Sequence, residues 1–138
     1  MSDNVILQPK NWVAPKGYAN GIAAEGRQVF IAGQIGWDAQ AKLVDDDLVT
    51  QVEQALSNIV QVLDEAGGEP RHLVRMTWYL TSKSEYCARQ REIGQAYRRV
   101  IGRHFAAMTA IVVASLIEDG AKIEIEATAI IPPSSIDL

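Results

Sequence analysis

Residues 108–131, MTAIVVASLIEDGAKIEIEATAII, limit the possible folds more than any other stretch. The run 108–116 is apolar almost throughout, interrupted only by Thr109 and Ser115. The run 122–131 alternates, with Ile123, Ile125, Ala127 and Ala129 on one face and Lys122, Glu124, Glu126 and Thr128 on the other. Alternation with period two is the mark of a strand with one buried face. Glu118-Asp119-Gly120 predicts a tight turn joining the two runs, with glycine free to take a positive φ. The first run does not alternate in polarity. Met108, Ala110, Val112, Ala114 and Leu116 fall on one side, and Thr109, Ile111, Val113 and Ser115 on the other. A strand apolar on both faces must be covered on both. The expectation is a sheet face away from the helices that is buried against other copies of the chain.

The rest of the chain supplies the partners for this stretch. Residues 1–16 hold Pro9 and Pro15 and read as an irregular arm, with a short edge strand near 5–8. Residues 17–24 and 28–32 predict a hairpin turning at Gly26. Gly33 and Gly36 suggest a bulge or a close backbone approach, and 37–43 a polar loop or short hairpin. Residues 45–67 predict a helix, with Leu48, Val52, Ala55, Leu56, Ile59, Leu63 and Ala66 on one stripe. Asp45, Asp46 or Asp47 caps it, and Gly67-Gly68 ends it. In 72–81, Val74, Met76, Trp78 and Leu80 alternate with Arg75, Thr77 and Tyr79, predicting a strand. A second helix runs from Ser82 or Ser84 to about Arg103, its stripe being Tyr86, Gln90, Ile93, Tyr97, Val100 and Ile101. Residues 132–138 form a tail after Pro132-Pro133. The order β-β-α-β-α-β-β describes one α+β domain over 1–138, a mixed sheet with both helices on one face.

Composition excludes several functions. The net charge is -4, and no basic cluster exceeds Arg98-Arg99, which argues against a nucleic-acid ligand. One cysteine, Cys87, forbids an internal disulfide and suits a reducing compartment. Neither a signal-peptide pattern nor a membrane-length apolar run is visible, so the expected location is cytoplasmic, off the membrane. The common nucleotide, metal and nucleophile motifs are missing, and no cofactor or metal is expected. His72 and His104 read as surface or loop histidines, Cys87 as an inert helical thiol, and Trp12, Trp37 and Trp78 as packing residues.

Glu124 is the strongest candidate for chemistry. It lies opposite Ile123 and Ile125, on the face expected to be covered. A carboxylate there either holds or activates a water, pairs with Lys122 or an arginine, or sits solvated at the sheet's end. Glu126 shares the face and the ambiguity. Tyr18, between Gly17 and Gly21, offers either a phenol beside a pliant backbone or a packed aromatic.

Together these segments resemble the YjgF/RidA family, over roughly residues 17–130. The resemblance rests on Gly17-Tyr18, on Ala32-Gly33-Gln34-Ile35, on QALSNIVQVLDEAG at 54–67, on the strand 73–80, and on KIEIEATA at 122–129. It implies a chorismate-mutase-like fold in a homotrimer with a central barrel and small-molecule clefts between subunits. It also implies cofactor-free hydrolysis of enamines or imines to carbonyl products and ammonia. A tyrosine lines the family's cleft, a glutamate places the water, and an arginine clamps the substrate carboxylate. Tyr18 and Glu124 match the first two. Met108, in His104-Phe105-Ala106-Ala107-Met108-Thr109, stands where the family has the arginine. Ala110 replaces a cysteine, Ala32 the serine of a Ser-Gly-Gln turn, and Gly94 an asparagine, while Gly33 is kept. The expected site is thus Glu124 and Tyr18 for chemistry, with Ala32, Gly33, Gly94, Met108 and Ala110 contacting ligand. Arg75, Arg89 and Arg91 are the candidates to replace the arginine. The alternatives are a non-catalytic metabolite-binding or protein-protecting module and, less favoured by the acidic balance, a ribonuclease or translation inhibitor.

Overall fold

The computed structural model describes residues 4–133. The ends of the expected arm and tail, 1–3 and 134–138, lie outside the described residues. Strands β1 (Asn4–Leu7) and β2 (Gly21–Ala24) form an antiparallel pair. Strands β3 (Arg27–Gln34), β4 (Leu73–Leu80), β5 (Ala107–Val112) and β6 (Ile123–Ile131) form a second sheet in the order β3-β6-β4-β5. Helix α1 (Leu48–Glu65) follows β3, and α2 (Lys83–Ala88) and α3 (Gln90–Val100) lie between β4 and β5.

Both expected hairpins are corrected. Chain segment 17–24 does not fold back on 28–32, because β2 pairs with β1 and β3 pairs with β6. Nor does β5 pair with β6. It lies parallel to β4 at the sheet's edge, while β6 runs antiparallel between β3 and β4. A turn at Glu118-Asp119-Gly120 does form, with Gly120 at φ 86° and the Ala121 amide donating to the Glu118 carbonyl at 3.2 Å. It closes an irregular connection over 113–122, not a hairpin. The strand expected to reach residue 116 therefore stops at Val112.

The sheet face away from the helices is also less apolar than expected. Register places Tyr79 beside Glu124, Thr77 beside Glu126 and Arg75 beside Thr128. Phe30, 74% exposed, and Ile111, 43% exposed, are the large apolar groups among them. This polarity follows from the alternation of β4 and β6, which sends their apolar residues to the helices.

Helix α1 obeys its pattern. Leu48, Val52, Ala55, Leu56, Ile59 and Leu63 are buried against Ile31, Met76, Leu80, Ile123 and Ile125. Each of the leucine, valine and isoleucine side chains contributes about 1.5–3 kcal/mol by leaving water. Asp47 is the cap, accepting from the Thr50 amide at 3.0 Å. The amides of Gly67 and Gly68 close the other end on the Asp64 and Leu63 carbonyls. Gln51, inside the stripe, is fully buried. Its amide donates to the Asp45 and Gly120 carbonyls at 2.9 and 3.0 Å and accepts from the Lys122 amide at 2.8 Å.

In β4 a register irregularity between Leu73 and Arg75 puts Leu73 in the core and leaves Val74, expected there, half-buried. His72, expected at the surface or in a loop, lies in the short turn Pro70–His72 but is only 3% exposed, its Nδ1 accepting from the Glu69 amide at 2.9 Å. The single second helix is in fact two, broken at Arg89 with φ -116° and ψ 19°. Ser82 caps the first, accepting from the Glu85 amide at 3.1 Å. At the break the Arg89 guanidinium binds Glu92 and reaches Asp47 at 3.0 Å, tying the start of α3 to the start of α1.

The Thr50 amide, and after it the Arg89 guanidinium, hold the Asp47 carboxyl below the usual carboxylate range. A depressed folded pKa stabilises the fold above the unfolded value, about pH 4, and that contribution is lost as pH falls through the folded pKa. Thermal melts from pH 6 to pH 3 should therefore show Tm falling, and falling less in Asp47→Asn. Parallel curves for the two proteins would contradict this account of the cap.

Candidate functional site

A cavity of about 330 Å³ opens on the helix side of the sheet, between α2 and α3 and the β4–β5 pair. Its floor follows from register. Met108 lies beside Met76 and Ala110 beside Trp78, on the face where Met76 and Trp78 are buried. One wall is an aromatic stack: Trp78 and Tyr97 have ring centroids 6.5 Å apart, and Tyr97 and Phe105 5.5 Å apart. The Tyr97 hydroxyl donates to the His104 carbonyl at 2.8 Å, and His104 Nε2 lies 2.6 Å from the Leu73 carbonyl oxygen. Tyr86, Gln90, Ile93 and Gly94 face the cavity from the helices. A Cβ on Gly94 would meet open space. Tyr18 is brought in by the edge of the sheet: Ala19 bridges Ala107, its amide donating to the Ala106 carbonyl at 3.0 Å. Lys16 and Gly17 complete the lining.

Four of the expected positions, Tyr18, Gly94, Met108 and Ala110, thus line one cavity. The other three do not. Ala32 lies on the opposite face of the sheet, in a groove with Arg75, Thr77 and Glu126. Glu124 and Gly33 meet each other there: a Cβ on Gly33 would overlap the Glu124 carboxylate. Residues 32 and 33 are the irregularity in β3, between the Ile31–Ala127 and Gln34–Ile125 pairs, so the two glycine expectations at this turn, bulge and close approach, coincide at Gly33. Glu124 makes no ion pair or hydrogen bond with the described residues; Lys122, its suggested partner, pairs with Glu85 at 3.1 Å. Glu126 accepts from the Tyr79 hydroxyl at 2.6 Å, and this bond holds the Tyr79 phenol above its ordinary pKa.

Charge in the cavity is sparse. None of the three arginines lines it: Arg75 is across the sheet, and Arg89 is bound to Asp47 and Glu92. Lys16, exposed at the rim, is the one cation among the lining residues. Burial pushes the phenols of Tyr86 and Tyr97 up, so both stay neutral near pH 7. Trp78, read in the sequence as a packing residue, also joins the lining; Trp37 bridges Leu43 in the short 37–43 hairpin. Tyr86, Gln90, Ile93 and Tyr97 read in sequence only as a core stripe. The signal that they face a cavity is the polar Gln90 and the side-chain-free Gly94 within it. Among the described residues no cluster of side chains could hold a metal ion, and no helix is long and apolar enough to cross a membrane.

The sequence profile of the family described as Endoribonuclease L-PSP matches residues 10–131. A 2-iminobutanoate/2-iminopropanoate deaminase from Capra hircus is 33% identical over 108 residues, 78% of this chain and 75% of that protein. Protein DfrA of Myxococcus xanthus is 34% identical over 125 residues, covering 85% and 89%. Among solved structures, the Rid-family protein YyfB of Yersinia pestis, described as of unknown function, superposes with a TM-score of 0.84 at 32% identity, covering 94% of this chain and all of that one. Rv2704 of Mycobacterium tuberculosis, a member of the YjgF/YER057c/UK114 family, gives 0.62 at 30% identity, covering 83% and 87%. The chain belongs to the YjgF/Rid family, and its α+β architecture is the chorismate-mutase-like fold of that family.

Proposed function

We propose that this protein hydrolyses a small imine or enamine to a carbonyl compound and ammonia, in clefts between the subunits of a homotrimer. The observation that carries the reading is the convergence of Tyr18, Gly94, Met108 and Ala110 on one cavity. Relatives named as imine deaminases support the reaction class. The trimer is supported by the separation of the parts. Within one chain, Glu124 and Gly33 lie across the sheet from the cavity, and in this reading a neighbouring copy presents its own pair to complete a site. In this reading Tyr18 orients the ligand. Glu124 takes a proton from water as the oxygen attacks the imine carbon, and the proton goes on to the departing nitrogen. The single cysteine, Cys87, which is exposed, is in keeping with a reducing cytoplasmic setting. The acidic balance and a lining with one cation speak against RNA as the substrate.

Met108 favours a second reading, ligand binding without turnover, because no guanidinium is present to clamp a carboxylate. One experiment separates the two. Imines generated enzymatically from several amino acids are offered to wild type and to Met108→Arg, and ammonia release is followed. Wild type should release ammonia from at least one of them. Met108→Arg should act at least ten times faster on imines bearing a carboxylate, the order expected of a charge-assisted contact. Wild type inert on all, with Met108→Arg active, would leave binding alone for the natural protein. A mass equal to one chain by light scattering at micromolar concentration would remove the trimer.

A further inference from the structure

On the sheet face away from the helices, Glu124 stands between two neighbours, because β6 lies between β3 and β4. On the β3 side is Gly33, whose missing side chain leaves the space that the Glu124 carboxylate fills. On the β4 side is Tyr79, directly opposite Glu124 in the register. Residues so paired have Cβ atoms about 4.5–5.5 Å apart, close enough for one side chain to limit the other. The Tyr79 hydroxyl passes Glu124 by and donates to Glu126 Oε2 at 2.6 Å. Glu126 is the diagonal neighbour, within reach of an aromatic side chain, and a hydrogen bond to a carboxylate is among the stronger ones. Arg75 shares a groove with Glu126 but, among the described residues, does not pair with it, so the phenol is the group that holds this carboxylate. The bond has two effects. It fixes the ring beside Glu124, and it draws the Glu126 carboxylate toward β4. Glu124 and Glu126 are two residues apart on one face, about 6.6 Å along the strand. Without the pin, two like charges at that spacing repel each other and compete for the same space.

We propose that Tyr79, bonded to Glu126, is the positioning residue that holds Glu124 over Gly33 and so aims its carboxylate at the water of the hydrolysis. The chemical role of Glu124 rests on the reading above; the placement of its side chain rests on Gly33 and Tyr79 alone. Tyr79 takes no part in the proton transfer. The bond to Glu126 holds its phenol above the ordinary tyrosine pKa, so near pH 7 the hydroxyl stays protonated and stays a donor to Glu126. A cross-strand pair that served only the sheet would alter melting and leave Glu124 where it is, so the two roles give different results.

Tyr79→Phe keeps the ring and removes the pin. Its kcat for imine hydrolysis should fall about tenfold with KM within about twofold, because Tyr79 is not part of the cavity lining. Glu126→Ala should match it. Glu126→Gln keeps an acceptor for the phenol and should stay within about threefold of wild type. A double-mutant cycle with Gly33→Ala is the sharper test. In that variant Glu124 is already displaced, so adding Tyr79→Phe should lower kcat by no more than about twofold. The placement itself is read without turnover, as the nuclear Overhauser contact between the Gly33 α-protons and the Glu124 γ-methylene. It should be strong in the wild-type chain and at least halved in Tyr79→Phe. A lowered Tm with that contact unchanged would make the pair structural only and overturn the assignment. So would a Tyr79→Phe kcat within twofold of wild type, or full additivity with Gly33→Ala. If the contact weakens as stated and no imine yields ammonia, the catalytic reading fails and the placement stands. If imines are hydrolysed and Tyr79→Phe changes nothing, the reverse holds.

Discussion

Gly33→Ala should lower imine hydrolysis by about a hundredfold or more and change Tm very little. The two effects part because of what the new methyl meets. It would overlap the carboxylate end of Glu124, the far end of a flexible side chain, and not backbone. The chain can relieve the clash by swinging Glu124 aside, so the fold loses little. The reaction loses the group that takes the proton from water, and positioned acid–base groups of that type are worth roughly 10²–10⁴ in rate. Ammonia release and melting on the one variant check both statements. Activity within threefold of wild type, with the fold intact, would remove Glu124 from the mechanism.

Gln51→Leu should lower stability by about 3 kcal/mol, near 10 °C in Tm for a chain of this size. Leucine matches the stripe of α1 and is of similar bulk, so the loss is not one of packing. It comes from three backbone groups that Gln51 satisfies inside the protein: the Asp45 and Gly120 carbonyls and the Lys122 amide. Each buried group left without a partner costs about 1–3 kcal/mol, partly offset by the apolar gain. The Lys122 amide should exchange hydrogen faster as well, because that bond ties the irregular 113–122 connection to α1 just before β6 begins. A loss under about 1 kcal/mol by denaturant titration would show that water replaces the amide.

These two positions also mark how far the bare sequence can be read. Gly33 was visible as a close approach, since two glycines near a strand end have few other uses, but its partner was not. Gln51 is not legible in this way: one polar residue in an apolar stripe reads as the stripe's edge, and only the fold places three backbone groups around it. The break at Arg89 had no signal, because Cys87-Ala88-Arg89-Gln90 contains neither proline nor glycine; it lies where the guanidinium bridges Asp47 and Glu92. The cavity was half legible. Met108, Ala110, Gly94 and Tyr18 came from the resemblance, whereas Phe105 and Tyr97 join them only because α3 stands off the sheet.

By itself the sequence determined what is set locally: the α1 stripe with its aspartate cap and glycine end, the alternation of β6 that turns Glu124 away from the core, and the turn at Gly120. Periods of 3.6 and 2 are properties of a single segment, and capping needs only near neighbours. Tertiary structure alone decided that β5 joins β4 in parallel, that β6 lies between β3 and β4, and that the cavity and Glu124 fall on opposite faces of one chain. Strand pairing uses backbone hydrogen bonds common to all residues but proline. A polarity pattern therefore states which face of a strand is buried, while packing of the whole chain selects its neighbours.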